Sequence, residues 1–281
     1  MFDRIYLEIT NVCNRSCAFC PGTRREARFL RLEEFRTLAG KLRPFGKTLY
    51  LHVMGEPLLH PQLPELLAIA GELDFRVNIT TNGTLLPQAQ EVLLNAPALQ
   101  KVHISLHSFE ANDRDGLDTY LDGCTAFGLL AQEKDILVDY RLWNLDGQDT
   151  QGLHGQNGAI LAKLHEAFGP EFQEQDWGAR ITDKIYLHYA ERFVWPDLSA
   201  EDHGPEGSCL ALRQQLAVLC DGSVVPCCLD HEGDAVLGNL FSQELADILA
   251  SAPAQQMLEG FRNRKHLHPL CRRCGYARRF G

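Results

Sequence analysis

The chain has no surplus of positive charge: 27 Lys and Arg stand against 37 Asp and Glu, a formal net charge of -10 at pH 7. Binding to nucleic-acid phosphates or anionic membranes needs a net or locally dominant positive field, so neither partner is expected. Arg24, Arg25, Arg28 and Arg31, and later Arg272, Arg273, Arg278 and Arg279, form two local basic groups, read first as solvated surface. Long apolar runs are missing as well. No stretch approaches the ~18 consecutive apolar residues of a membrane span. Asp3, Arg4 and Glu8 break up the first ten residues, which excludes a signal-peptide core. A cytoplasmic protein is the expectation. There is no internal repeat, low-complexity tract, Ser–His–Asp triad, phosphate-binding loop or metalloprotease motif to compete for the chemistry.

Cysteine, by contrast, is plentiful: ten in 281 residues. In a reducing compartment such thiols are more naturally metal ligands or catalytic groups than disulfides. They are also clustered. Cys13, Cys17 and Cys20 share one C-x3-C-x2-C segment, while Cys209, Cys220, Cys227, Cys228, Cys271 and Cys274 crowd the last third of the chain. Cys124 stands alone and reads as a small buried residue.

Six short runs rich in β-branched and aromatic residues recur along the chain: 5–10, 48–53, 76–80, 101–106, 137–143 and 184–189. Helical patterns over 32–42, 63–73 and 87–94 lie between them. Alternating strands and helices imply a parallel sheet with right-handed crossovers. Six units are fewer than a closed eight-fold barrel needs, so the expected fold is α/β, an open partial (β/α)6 TIM-like barrel. The Gly-, Gln- and Asp-rich stretch 145–158 reads as a long loop. The acidic, Pro- and Gly-containing stretch 196–207 reads as a boundary, giving a barrel over 1–200 and a small cysteine-rich domain over 201–281 that opens with a hairpin turning at Asp221 and Gly222.

The polar segments begin where the strands end: Cys13 to Cys20, then Gly55-Glu56-Pro57, then Thr81-Asn82-Gly83, then Ser105 to Ser108, then Asn144. In parallel barrels that edge carries the active site. Three thiolates on one loop suit a polynuclear iron site, and the lack of a fourth nearby cysteine leaves one iron open to a ligand. A zinc site that borrows a histidine, or three unrelated buried cysteines, are the alternatives. Cys209, Cys227, Cys271 and Cys274 make a full tetrathiolate set, for which structural zinc is the alternative to iron.

Over about its first 190 residues the sequence resembles the radical S-adenosylmethionine (SAM) superfamily. Cys13-Asn14-Arg15-Ser16-Cys17-Ala18-Phe19-Cys20 is similar to that family's cluster loop, and Gly55-Glu56-Pro57 to its glycine-glutamate-proline segment, with Met54 where the family has a further glycine. The resemblance implies that Cys13, Cys17 and Cys20 hold a [4Fe-4S] cluster and that Phe19 lies near the adenine. It implies that Gly55, Glu56 and Pro57 bind the methionyl amine, and that Thr81, Asn82 and Ser105 face the ribose and carboxylate. Many relatives carry an arginine near positions 120–123. None stands there, so Arg141 or Arg114 is the expected substitute, with Leu142 offering backbone contacts to adenine.

The C-terminal set resembles the reduced SPASM domain called Twitch, supported by the G-x4-C element Gly222 to Cys227 and by Gly238-Asn239-Leu240. That implies one auxiliary [4Fe-4S] cluster on Cys209, Cys227, Cys271 and Cys274. The implied activity is reductive cleavage of SAM to a 5'-deoxyadenosyl radical, which takes hydrogen from a small-molecule or peptide substrate for oxidation, with flavodoxin or ferredoxin as electron donor. Epimerisation with Cys228 or Cys220 as hydrogen donor is the alternative outcome, and a non-enzymatic iron-sulfur or zinc module the alternative class. Tyr186, His188, Glu191, Arg192 and Trp195, with His103 and His107, are candidate substrate contacts. The first ligand at Cys13 leaves no room for a preceding leader-peptide domain, which lowers the expectation of a peptide substrate.

Overall fold

The computed structural model describes residues 1–109, 116–145 and 156–280. Its elements run β1 (Arg4–Leu7), α1 (Leu32–Leu42), β2 (Thr48–Tyr50), α2 (Leu63–Glu72), β3 (Arg76–Thr81), α3 (Leu86–Leu94), β4 (Leu99–Ser105), α4 (Leu117–Glu133), β5 (Leu137–Leu145) and α5 (Asn157–Phe168). They continue through β6 (Gln173–Gln175), β7 (Gly178–Arg180), β8 (Ile185–Glu191), β9 (Gln215–Val218), β10 (Ser223–Val225), β11 (Gly238–Asn239), α6 (Leu245–Ala250), α7 (Ala252–Arg262) and α8 (Pro269–Arg272). The single sheet is ordered β11-β10-β9-β1-β2-β3-β4-β5-β8-β7-β6. Its six central strands, β1 to β5 and β8, are parallel, as the alternation requires.

α1 shows why the local sequence folds as it does. Phe35, Leu38, Ala39 and Leu42 recur at helical spacing and bury one face. Glu33 and Glu34 sit at the positive end of the helix dipole and Lys41 at the negative end. Glu34 also closes a capping box with Arg31 and pairs with Arg28. α4 is held to the sheet by a close approach at Gly128: any Cβ there would lie 2.2 Å from the Tyr140 hydroxyl, which donates to the Cys124 carbonyl.

Side chains alternate across each strand. Ile5, Leu7, Leu49, Val77, Ile79, Val102, Ile104, Val138, Tyr140, Ile185 and Leu187 point to the helices and are fully buried. Parallel strands covered on both faces usually read as unbroken apolar runs. Here the opposite, inner face carries Tyr6, Tyr50, Asn78, Thr80, His103, Asp139, Arg141 and His188 instead. A polar inner face on a buried sheet is the first structural sign of a site.

The C-terminal hairpin of β9 and β10 joins this sheet at the β1 edge, β9 running parallel to β1 from Arg4↔Gln215 to Leu7↔Val218. At the other edge β6 and β7 form an antiparallel hairpin that the sequence did not disclose. Most of the loop read over 145–158, and Arg114, lie outside the described residues. Among those described, no helix is long and apolar enough to cross a membrane.

Candidate cofactor and active site

The mouth of the barrel is organised by one carboxylate. Glu56 is buried and accepts from the Leu58 N–H at 3.0 Å, the Thr81 hydroxyl at 2.8 Å and the Asn82 N–H at 2.7 Å. It stands there because Gly55 takes φ +77° and lies so close to the Thr10–Asn11 backbone that a Cβ would meet the Thr10 oxygen at 2.5 Å. Burial raises the Glu56 carboxyl above its ordinary range, although its three hydrogen bonds pull the other way. All three donors are neutral.

The cysteine loop packs beside this carboxylate. The Asn82 amide donates to Asn14 Oδ1 at 2.9 Å and reaches Cys13 Sγ at 3.9 Å, while the Cys17 thiol points to the Ser108 carbonyl at 3.6 Å. Burial pushes the Cys13 and Cys20 thiols up, and Cys13 feels the charges of both Glu56 and Cys20. Phe19 lies against His107, with ring centroids 4.7 Å apart. His107 is buried beside the Arg141 carbonyl, 3.0 Å from its Nδ1, and burial lowers it to about 4. Tyr120, at the position where the expected arginine is missing, donates its hydroxyl to the Asn82 carbonyl at 2.8 Å.

Loop and hairpin are locked together underneath. Glu8 is fully buried, receives both terminal nitrogens of Arg25 at 2.6 and 2.8 Å, and accepts from the Met54 and Cys220 N–H groups. Burial and the Glu8 charge push the Cys220 thiol to about 12. Cys220 thus belongs to this buried tie.

Cys209, Cys227, Cys271 and Cys274 line a single cavity of ≈ 30 Å³, closed by apolar groups that include Pro196, Pro226 and Leu270. Burial, then the mutual charge of the surrounding thiols, holds Cys227 well above its ordinary range and raises Cys271 as well. As neutral thiols the four tolerate this space, but as thiolates they need a metal centre to neutralise them. A ring of thiols around a cavity suits a polynuclear cluster, whose irons stand apart. Cys228 turns away from this space and hydrogen-bonds Tyr6 on the inner face, within an apolar group of Val53, Met54, Ala217, Leu219 and Trp195.

Of the remaining sequence candidates, Arg141 lies over the Trp143 ring at 4.6 Å, with its Nε 3.3 Å from Asp139. Leu142 is buried toward the helices. His188 pairs with Asp139 on the inner face. The Tyr186 hydroxyl donates to the Asp183 carbonyl, and the Glu191 carbonyl accepts from Arg279. The Arg192 N–H donates to the Leu145 carbonyl. Asp139, His52, Tyr6 and Tyr50 were not singled out in the sequence. A period-two polar set on parallel strands was the available signal.

Residues 7–125 match the radical SAM superfamily and residues 209–275 an iron-sulfur cluster-binding domain, SPASM. The chain thus carries a radical SAM domain and a C-terminal SPASM domain, which imply SAM, a [4Fe-4S] cluster and auxiliary iron-sulfur centres as cofactors. It is similar to the S-adenosyl-L-methionine-dependent 2-deoxy-scyllo-inosamine dehydrogenase of Niallia circulans, at 24% identity over 98% of this chain and 93% of that one. It is 36% identical to the Fe-coproporphyrin III synthase of Methanosarcina barkeri over 47% of this chain, and spans about a third (35%) of that protein's length. Among solved structures, BtrN in complex with AdoMet and 2-DOIA shares the fold with a TM-score of 0.60 at 21% identity, covering 98% of this chain and 93% of that one. Streptococcus suis SuiB bound to the precursor peptide SuiA does so with a TM-score of 0.58 at 16% identity, covering 98% of this chain and 71% of that one.

The residues present fit these cofactors. A carboxylate has about four acceptor positions, three of which are filled on Glu56 by neutral donors, so an ammonium group finds both a free lone pair and a buried charge to offset. Cys209, Cys227, Cys271 and Cys274 likewise bring four thiol ligands to one cavity, the donor set of an iron-sulfur centre.

Proposed function

We propose that the chain reductively cleaves SAM and takes hydrogen from a small-molecule or peptide substrate, with two-electron oxidation as the outcome. The observation that carries this reading is the buried Glu56 carboxylate, held by neutral donors directly beside the three-thiol loop. Cys13, Cys17 and Cys20 hold the cluster, and Glu56 takes the methionyl ammonium on a turn fixed by Gly55 and Pro57. Thr81, Asn82 and Ser105 face the ribose and carboxylate, Arg141 takes the carboxylate, and Phe19 and the Leu142 backbone flank the adenine. When bound, the cluster supplies the electron that cleaves the sulfonium to a 5'-deoxyadenosyl radical.

The chain's own residues position and shield that chemistry. Glu56 and Asn82 fix one end of SAM, the Phe19–His107 contact closes a wall against water, and the apolar walls around Cys209, Cys227, Cys271 and Cys274 keep an auxiliary [4Fe-4S] centre dry. With all four thiolates engaged, that centre suits electron transfer better than substrate binding. The likeness to a dehydrogenase along nearly the whole chain supports oxidation, whereas the GTP 3',8-cyclase of Chlorobaculum tepidum matches over 38% of the chain. A flavodoxin or ferredoxin is the fitting external donor.

Anaerobic reconstitution tests the reading. We expect about eight irons per chain, from two [4Fe-4S] sets, and dithionite-dependent formation of 5'-deoxyadenosine. Colourless, zinc-loaded protein that forms none overturns it. A second reading, epimerisation, is favoured by one observation: the Cys228 thiol faces Tyr6 on the inner face. It requires one solvent deuterium at the inverted carbon of the product, where oxidation requires none.

A further inference from the structure

Four polar atoms on the inner face are buried without a partner: His52 Nδ1, Asn78 Oδ1, Thr80 Oγ1 and His103 Nε2. They are neighbours: β3 sets Asn78 beside Tyr50 of β2, whose ring lies 6.0 Å from that of His52 and 6.2 Å from that of His103, and β4 sets His103 beside Thr80. Asn78 and His103 are 4% and 5% exposed, so bulk water does not satisfy them. Each such group left bare is destabilising. Four together mark the place of a ligand rich in hydrogen-bonding groups. Beside them on the inner face lies an apolar and aromatic group of Tyr6, Tyr50, Ala217 and Leu219 with Trp195.

One of the four atoms has a fixed chemical character. Asp139 is buried, stands 2.5 Å from His103 Nδ1, pairs with His188, and lies 3.3 Å from Arg141 Nε. Burial alone would raise its carboxyl, but the hydrogen bonds from His103 and His188 and the Arg141 charge overcome this and keep it ionised. An ionised carboxylate only accepts, so His103 Nδ1 carries the proton and Nε2 presents a lone pair to the interior. Burial, aided by the Arg141 charge, lowers His103 to about 3 and keeps the imidazole neutral.

We propose that His103 Nε2 accepts the hydroxyl proton of a small polyhydroxylated ring substrate, with Asp139 as its positioning residue, and that this alcohol is what the barrel oxidises. The inference rests on the radical oxidation proposed above. Converting an alcohol to a carbonyl removes two electrons and two protons. One hydrogen atom would leave carbon to the SAM-derived radical; as the O–H bond broke and the C=O bond formed, His103 Nε2 would take the proton, and a bound iron-sulfur centre would supply the acceptor for the last electron. A ring that carries both hydroxyls and C–H bonds suits the unpartnered polar atoms and the apolar group beside them.

Two measurements test it. Nitrogen-15 NMR of the histidine-labelled full chain should show an imidazole with Nδ1 protonated and Nε2 bare, absent in His103→Gln, whose signal shifts on adding scyllo-inositol or an aminocyclitol. A protonated Nε2, or no shift with any ring alcohol, overturns the proposal. In the reconstituted enzyme, ring-deuterated cyclitols and aminocyclitols should pass deuterium to 5'-deoxyadenosine. Ketone formed per 5'-deoxyadenosine should fall about 100-fold in H103Q, and less in Asp139→Asn. An unchanged ratio in H103Q overturns the proton role. 5'-Deoxyadenosine made without deuterium transfer from any ring alcohol overturns the substrate class while leaving the proposed function standing. Failure to form it at all removes the proposed function itself.

Discussion

Glu56 shows how one residue can be tuned by what is missing around it. Its folded carboxyl titrates above the ordinary range, so the cofactor-free protein should lose stability as pH rises from that range through the raised value. Glu34 has the opposite sign. Burial opposes its ionisation, but Arg31 and Arg28 hold it down at about 2. Its contribution should be complete above the usual ~4.3 of a glutamate and vanish as pH falls through about 2. Melts across the acid range should show Glu34→Gln flattening the acid limb, while Glu56→Gln flattens the rise-side loss. E56Q should also weaken SAM binding by roughly 1.5–3 kcal/mol, the worth of a charge-assisted hydrogen bond, measured by equilibrium dialysis. Substituting Ala for Cys209, Cys227, Cys271 or Cys274 should halve the iron content, whereas Cys228→Ala should leave it intact. The cysteines were legible because ligand chemistry fixes residue type and spacing within a few positions of chain. Asp139 and His52 were not, because their meaning depends on which way a strand faces and on what the neighbouring strands bring.

At the scale of elements, α1 was legible to the residue, since capping, charge and apolar spacing agree there. The β6–β7 hairpin was not: Gln173–Gln175 is wholly exposed and polar, and offers no alternation to read. The turn after β2 is the element on which the mouth depends. Gly55→Ala would combine a positive φ with contact against the Thr10–Asn11 backbone. It should cost at least the ~1–3 kcal/mol of local strain and, by displacing the cluster loop, lower iron occupancy at Cys13, Cys17 and Cys20. Melting temperature and iron content read the two effects separately.

For the molecule as a whole, the barrel and the cysteine-rich region share one sheet. A chain ended at Gly207 would bare the β1 edge and uncover Tyr6, Val53 and Met54, which pack with Ala217, Leu219 and Val225. Such an edge invites pairing with other chains, so the truncated protein should elute as aggregate on size exclusion rather than as a folded barrel. The same pairing sets an order of events during synthesis. Glu8 meets the Cys220 N–H across 212 residues. β1 can pair with β2 early, but it lacks its β9 neighbour until residues 215–218 have been made. Contacts of such long sequence separation are the slow ones in folding. A nascent barrel that still lacks β9 is the species with most to gain from a chaperone.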